Sequence, residues 1–154
     1  MKTKLPIFVA VVLILMLAAS AFMGIHWLPT VFTHLSSFLS GGALFAFEIL
    51  CFIIGAVFLG ILLSALAFPK SMAEDAIFTP KTAIRIKGIS IAIFADCLLL
   101  GIAAVWPMVA GEWLIMPAML FVALIGMMVA SAIYILSDYI ARAAVLKEEA
   151  DLTL

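Results

Sequence analysis

The chain has 154 residues; 68% are hydrophobic and 11% charged, mean hydropathy is +1.40 and net charge is −1. A soluble domain is about 45–50% apolar and about 25% charged, so this composition cannot cover itself with a water-soluble surface. Two cysteines exclude a secreted disulfide scaffold, and the balanced charge excludes a basic domain that binds nucleic acid directly.

A membrane-crossing helix needs roughly 20 predominantly apolar residues, and four stretches meet that length. The first is Leu5–Leu28. Lys2 and Lys4 before an apolar run, with Ala19-Ser20-Ala21 further on, have the form of a signal peptide; the run continues to Leu28, so an uncleaved helix is expected. Pro29–Gly42 is polar and nearly uncharged and reads as an outer loop containing Thr30, Thr33, His34 and Ser36. The second helix is expected over Ala43–Phe68 and carries Glu48 and Cys51. Residues 69–79 form an inner, cytoplasmic loop. Within it, Ser71-Met72-Ala73-Glu74 has capping-box spacing, which predicts a short helix starting there.

Thr79-Pro80 reads as an N-cap followed by proline at the first helical position, which starts the third helix, 80–109. It carries Lys81 and Arg85 on one face and enters the membrane at about Ile86. Asp96 then lies about ten residues into the span, near the bilayer midplane at about 1.5 Å per residue, with Cys97 beside it. Ala110–Glu112 is a short outer connection. The fourth helix is expected over 113–147, crossing from Trp113 to about Ser137, with Asp138 and Arg142 spaced to pair on its surface. The tail, 148–154, is acidic with an apolar tip, and fraying is its default. The expected fold is all-α: one integral membrane domain over 1–154, a four-helix bundle.

Charge sorts the loops. All eight Lys and Arg residues fall before the first span, around the second loop or after the fourth span, and none falls in the outer connections. This predicts both termini in the cytoplasm, in a bacterial inner membrane. Aromatic placement gives the same topology: Trp27, Trp106 and Trp113 sit at outer ends, Tyr134 and Tyr139 near the inner end of the last span. Small residues recur at four-residue spacing in Ser20/Gly24, Ala56/Gly60, Gly60/Ser64 and Gly126/Ala130, a pattern that lets membrane helices approach closely.

Chemistry-bearing residues are few. Asp96 costs a few kcal/mol at the midplane; it is either a proton or cation site or a neutral acid bonded to a neighbouring helix. Glu48, His26, Glu112 and His34 share an outer depth and have metal-ligating side chains. No paired spacing fixes two of them on one face, so a His26–Glu48 ion pair is the expected arrangement there. Cys51 and Cys97 both lie at mid-depth and meet only if their helices touch; buried thiols behave as small hydrophobes. No nucleophile elbow, zinc-protease motif or phosphate loop is present, so no enzyme activity and no cofactor is expected.

Two segments carry a family resemblance: Phe78-Thr79 with Ala83-Ile84-Arg85-Ile86-Lys87, and the end, Ala144-Val145-Leu146-Lys147-Glu148-Glu149-Ala150-Asp151-Leu152-Thr153-Leu154. Together they resemble a family of small bacterial four-helix membrane proteins of unknown function, number 2975 in the domain-of-unknown-function series, whose members tend to end in Lys-x-Glu-Asn-Asp-Leu-Thr-Ile/Val. Ala150 stands where that family usually has asparagine. The resemblance implies a neighbouring regulator of the Cro/CI helix-turn-helix type. The first expectation is therefore a non-enzymatic sensor or anchor that engages such a regulator through Phe78, Thr79, Lys81, Arg85 and Lys87 of the inner loop and Glu148, Glu149, Asp151, Leu152 and Thr153 of the tail. The alternative is a small oligomeric transporter, channel or proton-coupled subunit built around Asp96.

Overall fold

The computed structural model describes residues 4–74 and 77–153. Among the described residues there are six helices and no strand: α1 (Lys4–Leu35), α2 (Gly42–Ala65), α3 (Ala67–Ala73), α4 (Pro80–Ala103), α5 (Val105–Val109) and α6 (Ile115–Thr153). They make four helical spans long and apolar enough to cross a membrane: α1, α2 with α3, α4 with α5, and α6. Most large apolar side chains on these spans are exposed, from Ile7 and Phe8 on α1 to Phe121 and Met128 on α6. Water strongly disfavours such a surface; hydrocarbon does not.

Proline explains where the spans break. Its ring clashes with the carbonyl four residues earlier and supplies no N–H. Pro69 acts on Ala65, where α2 ends, and Pro107 acts on Ala103, where α4 ends. Pro6, Pro80 and Pro117 lie in first turns, where the missing donor costs nothing. Pro29 alone lies deep in a helix, and α1 continues past it to Leu35.

Three local expectations change. The polar stretch after Leu28 is helical as far as Leu35, because its hydroxyls bond back to the helix's own carbonyls. Thr30 donates to the His26 carbonyl at 3.0 Å, and Thr33 donates to those of Pro29 and Thr30. Ser71 starts no helix: it lies near the C-terminal end of α3, and Glu74 is that helix's C-cap. The acidic tail is not frayed but belongs to α6, with the Thr153 hydroxyl donating to the Ala150 carbonyl at 2.9 Å. The start of α4 follows the sequence signal: Thr79 caps it, its side chain accepting from the Thr82 N–H at 3.3 Å.

α4 is the centre of the packing. It pairs most extensively with α6 and next with α2, while α1 packs on α2 and α3. One end of the packed helices closes around Leu35, Leu39, Phe47 and Ala103, where Phe47 lies against Phe32 and Trp106. The other end closes around Ala83, Ile86 and Ile140, with Phe68 and Ile133 against them. Gly41 and Gly111 make the turns into α2 and α6 at φ 63° and 77°, in the left-handed region that side chains rarely adopt.

A candidate site along the seam of α4 and α6

The two helices run antiparallel, and their contacts pair Lys87 with Tyr134, Ser90 with Ala130, and Cys97 with Gly126. The last pair is the tightest: a Cβ on Gly126 would collide with the Cys97 sulfur, which would have to shift. Of the four small-residue pairs in the sequence, only Gly126/Ala130 forms this tight seam. Gly24 meets only Leu28 of its own helix, and a Cβ at Gly60 would touch nothing.

Asp96, next to Cys97 on α4, lies on the helix face shared with Ile89, Ala92 and Ala103; it is 9% exposed, and its Oδ1 is buried with no hydrogen-bond partner among the described residues. The buried serines of α4 and α6 are engaged elsewhere. Ser90 donates from Oγ to the Ala130 carbonyl at 2.7 Å, and Ser137 donates to the Tyr134 carbonyl at 2.6 Å. Cys97 is free and buried, and Cys51 is free and packs against the cluster around Ala103. Asp96 therefore offers one carboxyl without a second oxygen or nitrogen ligand among the described residues, an arrangement able to carry a proton but too poor in donors to enclose a metal ion.

Ser90 ties α4 to α6 directly. Ser90→Ala is expected to lower stability by about 0.6 kcal/mol and at most about 1.7 kcal/mol, the range for hydrogen bonds between membrane helices. Unfolding in detergent micelles measures it.

At the end of α1 the structure replaces the expected His26–Glu48 pair. His34 Nε2 lies 2.8 Å from Glu112 Oε1, joining the end of α1 to the turn before α6. His26 is exposed and its ring packs on Phe22, with centroids 4.5 Å apart. Glu48 is half-buried on α2 and forms no ion pair among the described residues. The reason is the longer α1: each helical residue past Leu28 carries His34 further toward the α5–α6 turn. His26, Glu48 and Glu112 are not brought together, and among the described residues no three His, Cys, Asp or Glu side chains could share a metal. Asp138 and Arg142 are both exposed, and the ion pairs among the described residues are His34–Glu112 and Lys70–Glu74.

The residues expected in the loop between the second and third spans separate by role. Phe78 and Lys81 are exposed, Thr79 caps α4, and Lys87 Nζ lies 5.1 Å from the centre of the Tyr134 ring. Arg85 lines an open groove of about 500 Å³ against α2 and α3. On α6, Glu148, Glu149, Asp151, Leu152 and Thr153 are all exposed. The His34–Glu112 pair, the Cys97–Gly126 contact and the Arg85 groove were not legible in the sequence. Two signals pointed toward them: the depth shared by His34 and Glu112, and the Gly126/Ala130 spacing.

No family model matches the sequence, and no curated protein or solved structure matches it.

Proposed function

We propose that this is a non-enzymatic protein of the bacterial inner membrane, with both termini cytoplasmic, that acts as a sensor or anchor for a cytoplasmic helix-turn-helix regulator of the Cro/CI type. The observation that carries the docking part is the length of α6. Its 39 residues span about 58 Å, against a hydrocarbon core of about 30 Å. With Gly126 level with Asp96 near the midplane, α6 leaves hydrocarbon near Ser137. Its last 16 residues then extend about 24 Å beyond it.

That projecting segment is a helix with unburied apolar side chains. Val145 and Leu152, seven residues apart, share a face, Leu146 is exposed beside it, and Glu148, Glu149 and Asp151 surround them. Exposed apolar anchors on a rigid helix suit insertion into a partner's groove. Phe78 and Lys81 extend the surface at the same end of the molecule. The orientation rests on the basic residues at that end, which favour the cytoplasmic side. The choice of regulator rests on the resemblance of the loop and tail segments.

Crosslinked co-purification from a native host tests the reading. Full-length chain is expected to recover a small helix-turn-helix protein, and a chain lacking residues 148–154 to lose it. Equal recovery with both chains removes the tail from the contact.

A second reading, a small oligomeric proton-coupled transporter or channel subunit, is favoured by the buried, unpartnered Oδ1 of Asp96. An Asp96→Asn variant with unchanged proton or cation flux in vesicles rejects it.

A further inference from the structure

We propose that the groove between α2, α3 and α4 binds one anionic phospholipid, with its phosphate on Arg85 and the upper part of an acyl chain along a floor of small residues. The groove is about 500 Å³, and its lining includes Gly60, Ser64, Ala67, Arg85, Gly88 and Ala92. Gly60 and Gly88 leave it open: a Cβ built on either touches nothing. From Arg85 to Ala92 the floor descends seven residues, about 10 Å along α4.

Depth and charge select the occupant. Arg85 is eleven residues from Asp96, about 16 Å along the helix, which places its guanidinium at the edge of a core about 30 Å thick, where phosphates lie. α2 and α4 contain one carboxylate each, Glu48 and Asp96, and α3 contains none. Asp96 is on the far side of that 16 Å, and Glu48 is sixteen residues from Ser64, about 24 Å away. Glu74, at the end of α3, lies 4.0 Å from Lys70. Arg85 has no ion pair among the described residues, so the one cation lining the groove meets none of their carboxylates. A planar guanidinium binds phosphate through two parallel hydrogen bonds, and the exposed Ser64 hydroxyl supplies a further donor in the same lining. A cation at the rim above an apolar, open floor matches the two ends of a lipid.

The test uses the full chain in detergent micelles, with native mass spectrometry to count retained lipid and titration to compare phosphatidylglycerol with phosphatidylcholine. Wild type is expected to retain one phosphatidylglycerol and to prefer it at least tenfold. Arg85→Gln is expected to abolish the preference. Gly88→Leu, which fills the floor and raises helix propensity while leaving Arg85 in place, is expected to abolish retention. Lys81→Gln, outside the groove, is expected to change neither. The proposal is overturned if Lys81→Gln weakens binding as much as Arg85→Gln, which would mean diffuse interfacial charge. It is equally overturned if Gly88→Leu keeps its lipid, or if that variant's main effect is to convert a dimer into a monomer, which would make a second copy the occupant.

Discussion

Gly126→Ala is expected to destabilise the protein, although alanine is the better helix former by about 1 kcal/mol. The added methyl would occupy the space of the Cys97 sulfur. Cys97 is buried, so the sulfur has little room to turn away. Overpacking of this kind costs about 1–3 kcal/mol, enough to reverse the propensity gain, and Gly126→Leu should part α4 from α6 altogether. The cure is specific. The Cys97 Cβ would lie 3.9 Å from the new methyl, an ordinary contact, so Cys97→Ala in the same chain should restore stability. A double-mutant cycle in micelles is expected to give a coupling of about 0.5–3 kcal/mol. Simple additivity would show that the seam does not close on this pair.

Asp96 gives the second large effect, with the opposite sign. A buried acceptor left without a partner costs about 1–3 kcal/mol, and Oδ1 is such an atom. Asp96→Val, which removes the carboxyl and keeps most of the volume, is therefore expected to raise stability by about that amount. Loss of partner recovery or of ion flux in this stabilised variant would identify the acid as retained for activity at the expense of stability. A sharp fall in stability would instead mean that the carboxyl is bonded to a group outside the chain.

The four spans were legible because their signal is summed over about 20 residues each, and local exceptions such as Glu48 or Asp96 do not erase it. The start of α4 was legible because Thr79 and Pro80 act locally. The extent of α1 was not. Thr30, Thr33 and Ser36 have the composition of a loop, and only the backbone shows that their hydroxyls bond to helical carbonyls. Ser71-Met72-Ala73-Glu74 failed for a related reason: capping-box spacing is common, and Pro69 had already placed a helix start four residues before Ser71. Among the site residues, the depth of Asp96 could be counted along the chain, but its lack of a partner depends on which face of α4 carries it and what that face meets; the adjacent Cys97 lies on the face that meets Gly126 of α6.

From Met127 to Thr153, α6 contains neither glycine nor proline. This is an uninterrupted shaft of about 40 Å, whereas the second and third spans are each divided by a proline-induced break. A shaft of this kind is torsionally stiff. Slipping α6 by one residue against α4 turns its side chains by about 100°, and that rotation reaches Val145 and Leu152 without a hinge to absorb it. The exposed tail thus reads out, as an angle, the register in which Gly126 meets Cys97.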